Sequence, residues 1–173
     1  MKVCKLLIII SIIFAPSIVN SNETIAYIDQ KFIYSNSLAG KSIKAQLEKF
    51  QNKMIKKLTD NKKLLADEES KLIAQKNVLQ PEEYKKKLLL LEKKIISHNK
   101  KRNENNNILK KKQFKGNSTL KNFLTPILAT YSEENSISLI IDKQYIVIGK
   151  SSLDITADIV KLLDNKVKTI KLD

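Results

Sequence analysis

A central stretch of 75 residues constrains the fold more than any other feature of this sequence. Between Gly40 and Gly116 the chain contains no glycine and a single proline, Pro81, and it is rich in Lys, Leu, Gln, Glu, Ala and Ile. These residues favour helices, whereas glycine and proline are the residues that most often end them. The middle of the chain is therefore predicted to form long helices.

An apolar stripe runs along this stretch at helical spacing, which marks the face of a helix that packs against another helix. Its members are Ile43, Leu47, Phe50, Met54, Leu58, Leu65, Leu72 and Leu79. Pro81, followed by Glu82 and Glu83, is a typical helix start, with acidic residues near the positive end of the helix dipole. We therefore predict an antiparallel hairpin that turns near Pro81, with arms roughly 60 Å long.

The stripe resumes after the predicted turn and then fades. Its new members are Tyr84, Leu88, Leu91 and Ile95, and they are followed by a polar run that includes Asn103 to Asn107. Polar residues in the seam and Gly116 beyond them weaken the helical pattern. We therefore predict a loose stretch in the returning helix.

Strand-like sequence is confined to the two ends of the chain: "TIAYI" at 24–28, "SLIID" at 138–142 and "YIVIG" at 145–149. A hairpin brings these segments together, so the predicted fold is α+β, with a small three-stranded sheet and a long helical arm. The body comprises residues 22–40 and 117–173, and the arm comprises residues 41–116. A helix around 120–131 and a closing helix, with Asp154 or Thr156 as its N-cap, are expected to cover one side of the sheet.

The other side of the sheet needs a cover as well, because its strands are apolar on both faces. The core is small for a chain of this length, and subunit association through the strands would enlarge it. The alternative is a monomer whose C-terminal tail, "DNKVKTIKLD", covers the sheet, but that tail is short and polar. The predicted oligomerisation core consists of Ile25, Tyr27, Leu139, Ile141, Ile146 and Ile148.

Positive charge is concentrated in the arm. Residues 41–115 include 22 basic and 9 acidic residues, a net charge of +13, within a chain whose total is +14. We expect the arm to attract partners of opposite charge, and its outlying apolar residues to contact an extended polypeptide, although hairpin packing is an equal alternative for each of these. The candidate binding residues are Ile55, Leu64, Ile73, Leu89, Ile96, Lys56, Lys57, Lys62, Lys63, Lys85, Lys86, Lys87, Lys93, Lys94, Lys100, Lys101 and Arg102.

Residues 1–21 have the pattern of a secretory signal peptide. Lys2 and Lys5 precede an apolar run from Leu6 to Val19, which is short for a membrane span. Cleavage is predicted after Ser21, with a second site after Ser17, and an uncleaved membrane anchor is the alternative. The only cysteine, Cys4, would leave with the signal, and the mature protein is expected in the periplasm.

The mature chain has few of the side chains that usually carry out catalysis. It has no cysteine and one histidine, His98, which lies among polar neighbours and is expected on a helix surface. A chain without cysteine and with a single histidine cannot form the usual zinc sites or a Cys/His nucleophile pair. The acidic groups at 67–69 and 82–83 are adjacent in sequence and point to different sides of a helix. We expect neither an enzyme nor a cofactor.

Three features together resemble the Skp (OmpH-like) family of periplasmic chaperones. They are the N-terminal segment "IAYIDQKFIYSNSLAGKSIKAQL", the basic hairpin, and the C-terminal segment "SISLIIDKQYIVIGKSSLDITADIVKLL". The chain departs from the family pattern at Asn103 to Asn107 and at Gly116 to Ser118. The resemblance implies a homotrimer whose arms surround a central cavity. It also implies an ATP-independent holdase that binds unfolded outer-membrane proteins.

Two other functions fit parts of the sequence. A structural coiled-coil adaptor of the cell envelope would account for the helices but not for the strands that are apolar on both faces. A histone-like protein would account for the charge, but export and the presence of one arginine, Arg102, argue against a nucleic-acid partner. An anionic lipid or lipopolysaccharide surface is a further candidate partner for the lysines.

Overall fold

The computed structural model of the protein describes residues 24–172. The predicted signal peptide at residues 1–21, with Cys4, lies outside this range. The elements are β1 (Thr24–Ile28), α1 (Gln30–Asn36), α2 (Leu38–Ala74), α3 (Pro81–Glu134), β2 (Ile137–Asp142) and α4 (Thr156–Lys166). None of the helices within residues 24–172 combines the length and the hydrophobicity needed to span a membrane.

Helices α2 and α3 form the long hairpin, which confirms that prediction. They contain 37 and 54 residues, which correspond to about 55 Å and about 80 Å. Residues 75–80 connect them, and Pro81 is the first residue of α3, with Glu82 and Glu83 in its first turn. Near the tip of the hairpin Leu65 and Leu72 pack against Leu91 in the seam.

The predicted loose stretch in the returning helix is wrong, because α3 continues without interruption through residues 103–118. Four of the five residues from Asn103 to Asn107 are exposed, so water solvates their side chains without breaking the helix. Gly116 is buried, and a methyl group there would lie 2.9 Å from both Ile43 Cγ2 and Leu172 Cδ2. This glycine permits close packing and does not end the helix.

The sheet has two strands in the described chain, so the prediction of three strands is not confirmed. Strand β1 pairs in parallel with β2, and Ile25 lies opposite Leu139. After β2 the Asp142 carboxylate accepts the backbone N–H of Gln144 at 3.2 Å, and a 3-10 turn at Lys143–Tyr145 leads the chain out of the sheet. The third segment, 145–149, therefore does not pair with either strand.

One face of the sheet packs on the helices and forms the main core. This core contains Ala26, Ile28, Ile33, Ala39, Ile43, Leu120, Leu124, Ile155, Ile159, Leu163, Ile170 and Leu172. The last two residues belong to the C-terminal tail, which was expected to be too short and polar to cover the sheet. The tail bonds to side chains of α2 and α3. The outer face of the sheet remains partly exposed at Ile25 and Leu139.

A hydrogen-bonded threonine joins β1 to α4. The Thr156 hydroxyl accepts the N–H of Asp29 at 2.8 Å and donates to Asp154, and the Asp154 carboxylate also accepts the N–H of Thr156 at 3.0 Å. The prediction of Asp154 or Thr156 as the N-cap of α4 is wrong by one residue in either case. The cap position is Ile155, and the preceding Asp154 supplies the acceptor because Ile155 has no polar side chain.

We predict that Gly40→Ala destabilises the protein severely. A Cβ atom at this buried position would lie 1.9 Å from the carbonyl oxygen of Tyr34. Because the clashing atom belongs to the backbone, rotation of a side chain cannot relieve the contact, and we expect a loss of about 2 kcal/mol or more. The control Lys41→Ala is an exposed neighbour and should change stability by less than about 0.5 kcal/mol. Urea unfolding at matched protein concentrations measures both, and equal midpoints would refute the steric argument.

A second prediction concerns how the stability contributed by Asp154 depends on pH. Burial raises the pKa of Asp154, but the Thr156 hydrogen bonds and then Lys143, 3.6 Å away, outweigh burial and lower the pKa below its usual value. A lowered pKa stabilises the fold above the unfolded-state value, about 3.9, and this contribution disappears as the pH falls through the folded-state pKa. Wild type should therefore be more stable than Asp154→Asn at pH 7, and the difference should shrink as the pH falls below about 3.9, the unfolded-state pKa. A constant difference across this range, measured by urea unfolding, would contradict the assignment.

Candidate functional site: the sheet face and the basic arm

The outer face of the sheet carries two half-exposed aliphatic residues side by side. Ile25 is 49% exposed and its partner Leu139 is 50% exposed. Further along the same face Tyr27 is buried and lies opposite the half-buried Ile141. A Cβ atom at Gly149 would lie 3.1 Å from Tyr27 Cε1, so the segment after β2 folds over the tyrosine ring. The chain thus covers one end of this face and leaves the other open.

The segment that covers Tyr27 is itself strongly apolar and exposed. Val147 is 97% exposed and Ile148 is 92% exposed, while Ile146 is half-buried. Contiguous exposed apolar patches are typical of surfaces at which other molecules bind. Of the predicted oligomerisation residues, Ile25, Leu139 and Ile148 thus remain accessible, and Tyr27 is covered by its own chain. We use the name open sheet face for Ile25 and Leu139 of the sheet together with Val147 and Ile148 of the segment that follows β2.

All five apolar residues predicted to bind clients lie on the arm surface, outside the seam. Ile55, Leu64, Ile73, Leu89 and Ile96 are between 50% and 67% exposed. The seam is filled by other residues, with Leu65, Leu72 and Leu91 buried. Packing between α2 and α3 therefore does not account for the exposed five.

Three further apolar residues of the arm are more than half exposed and escaped sequence reasoning. Val78 is 83% exposed, Leu90 is 57% exposed and Phe114 is 76% exposed. Phe114 lies within the run "KKKQFKGN", off the apolar stripe. That isolated position among lysines was the available signal, because a residue on a helix face far from the seam is left in water.

The predicted basic residues of the arm are all exposed, and few of them are neutralised. Lys87 pairs with Glu83 at 3.2 Å, Lys100 lies 4.0 Å from Glu104, and Lys94 pairs with Glu68 across the hairpin. The other predicted cations form no ion pair within the part of the chain that the structure describes. The arm therefore keeps a broad positive potential.

His98 lies at the seam between the two arm helices. It is half-buried, and its Nδ1 atom is 2.8 Å from Oδ1 of Asn61 on α2. This contact places Asn61 and His98 at the same height along the hairpin. Within residues 24–172 there is no group of three or more His, Cys, Asp or Glu side chains that could hold a metal ion.

Comparison with known proteins places this arrangement in a family. A family model described as "Outer membrane protein (OmpH-like)" matches residues 24–163, from β1 into α4. The chain belongs to the OmpH-like family. This confirms the resemblance derived from the two terminal segments and the basic hairpin, and the OmpH-like match ends before the C-terminal tail.

A solved structure shares the OmpH-like fold. It is the crystal structure of a protein from Caulobacter crescentus CB15, described as a candidate OmpH-like outer membrane chaperone. The TM-score is 0.80 at 20% sequence identity, and the match covers 87% of this chain and 89% of the other. No curated protein matches the chain.

Proposed function

We propose that this OmpH-like protein is an ATP-independent holdase of the periplasm that binds unfolded outer-membrane β-barrel proteins between its arms. Family membership and the structural neighbour support a chaperone without enzymatic activity at the level of the family. The observation that carries the proposal is the arm surface. Five aliphatic side chains stay at least half exposed there, among lysines that mostly lack acidic partners.

The proposed chaperone works as a homotrimer held together by the open sheet face. A two-stranded sheet is marginal by itself, and here its outer side exposes Ile25 and Leu139 while Val147 and Ile148 extend beyond it. Association through these residues would bury them, and it would give the segment 145–149 a partner to pair with. Three arms would then enclose a central cavity.

Binding in that cavity would rest on many weak contacts. Burying a half-exposed aliphatic side chain contributes on the order of 1 kcal/mol, so a client gains from several contacts while each remains replaceable. The lysines attract acidic segments, and also anionic lipid or lipopolysaccharide surfaces, over about 8 Å at physiological salt. Such contacts keep an extended chain from aggregating without imposing a fold on it, and they require neither a cofactor nor a nucleic acid.

Ile148→Asp tests the subunit interface. Because Ile148 is 92% exposed in the single chain, the substitution should leave the subunit fold intact. In the trimer the new carboxylate would be buried without a partner, which is strongly unfavourable. We expect sedimentation equilibrium to show three chains for wild type and one for the variant, with unchanged far-UV circular dichroism.

The control for this substitution is Val78→Asp at the tip of the arm. Val78 is 83% exposed and lies far along the hairpin from the sheet, so this variant should remain trimeric. A trimeric Ile148→Asp protein would show that the interface lies elsewhere on the body.

Shortening the arm tests the binding surface. The Asn61–His98 contact marks matched positions, so residues 62–97 can be removed and Asn61 joined to His98 by a short polar turn while the seam register is kept. The shortened protein should fold and associate, because the body core is retained. It should fail to suppress aggregation of an unfolded outer-membrane β-barrel protein, measured by light scattering.

The matched control keeps both helices and replaces only residues 75–80 with the same polar turn. It should protect the client as well as wild type does. Full protection by the shortened protein would place the binding surface on the body. Loss of association would show that the arms contribute to assembly.

A further inference from the structure

The C-terminal tail, residues 167–172, occupies a groove at the base of the arm. We call the helix segments around Gln46 on α2 and around Lys112 and Gly116 on α3 the arm root. Ile170 is 5% exposed and Leu172 is 8% exposed, whereas the residues on either side of Ile170 are exposed. The tail lies beyond the residues that match the OmpH-like family model, which end at 163.

The arm root binds the tail through its backbone. Gln46 Nε2 donates to the carbonyl oxygen of Ile170 at 2.6 Å, and Gln46 Oε1 accepts the N–H of Leu172 at 3.0 Å. Lys112 Nζ donates to the carbonyl oxygen of Leu172 at 2.7 Å, and its ammonium group lies 5.8 Å from the centre of the Phe50 ring. The glutamine amide thus satisfies two main-chain groups of the tail as a neighbouring strand would. Recognition of this kind does not depend on the identity of the side chains.

Side-chain selection is limited to two aliphatic positions. Ile170 and Leu172 enter the main core together with Ile43, and the absence of a side chain at Gly116 leaves room for Leu172 Cδ2. Lys171, between them, stays in solvent. The groove therefore accommodates a segment with aliphatic residues two positions apart.

We propose that the arm root is a docking site for extended aliphatic-x-aliphatic segments, that the tail is its built-in occupant, and that a strand of an unfolded client displaces the tail. The identity of the client rests on the proposed function. Strands of outer-membrane β-barrels alternate apolar and polar residues, so they present the required spacing repeatedly. The tail then acts as a competitor that keeps the groove covered until a client arrives.

The small number of contacts makes the tail a replaceable occupant. Two buried side chains, Ile170 and Leu172, and three hydrogen bonds to its main chain hold it at the arm root, while Lys168 and Lys171 are exposed. A client segment with aliphatic residues two positions apart can form the same backbone hydrogen bonds and bury two side chains of the same kind. Covalent attachment favours the tail by raising its local concentration to about the millimolar range.

The first experiment uses a fluorescent peptide of residues 166–173, "KVKTIKLD", and the full chain carrying Ile170→Ser and Leu172→Ser, which frees the groove. The peptide should bind this variant saturably, and at least tenfold more weakly to wild type, where the attached tail competes. A peptide in which Ile170 and Lys171 exchange places keeps the composition but loses the spacing, and it should not bind saturably. Equal binding of the two peptides, or none, overturns the proposal.

Two further variants and one competitor locate the site. Adding Gln46→Ala to the freed chain should weaken peptide binding at least tenfold, while adding Gln51→Ala, an exposed neighbour on α2, should not. An alternating peptide from a transmembrane β-strand should compete with the labelled tail peptide. Failure to compete, or equal effects of the two glutamine substitutions, overturns the proposal.

Native hydrogen exchange tests the same idea without the double substitution, should that variant fail to fold. The Leu172 amide is held by Gln46, so adding the alternating peptide to wild type should accelerate its exchange, and a peptide with the spacing disrupted should not. Unchanged exchange overturns the proposal. None of these measurements uses a whole client, so they are independent of the aggregation assay. Aggregation suppression without peptide binding would refute the docking site at the arm root and leave the proposed holdase function standing. Peptide binding without aggregation suppression would refute the holdase function and leave the docking site standing.

Discussion

The parallel pairing of β1 with β2 is the constraint on which the rest of the structure depends. It joins Tyr27 to Ile141, residues more than a hundred positions apart. Parallel strands need a long crossover connection, and here the crossover is the entire arm. Because the chain must leave β1 and return beside it, α2 and α3 have to keep their seam in register from the tip near Leu72 and Leu91 to the arm root.

This arrangement leaves a small core and much apolar surface. The helices cover one side of the two-stranded sheet, and the body is completed by only eleven residues of α4 and by the tail. The arm adds length but little burial, since its tip cluster rests on three buried leucines. A chain built in this way exposes aliphatic side chains on the sheet and on the arm, and association with other chains is the means by which such surfaces become buried.

The sequence predicted the elements that depend on local signals. Helical spacing, the absence of glycine and the Pro81 helix start identified the hairpin, because each acts within a few residues. The errors arose where distant residues intervene. Gly116 suggested a break, yet it accommodates Ile43 and Leu172. The segment 145–149 suggested a strand, but in the single chain it is turned away by Asp142 and covers Tyr27.

By itself the sequence determined the long basic hairpin and the family to which the chain belongs, whereas the exposure of Ile55 and Ile96 away from the seam came from the structure. Helix periodicity and charge are properties of neighbouring residues, so they can be read without coordinates. Only the tertiary structure decided which side of the sheet stays open and where the tail docks. Burial of Leu172 depends on Gln46, 126 residues earlier in the chain, and no local pattern encodes a contact made through folding.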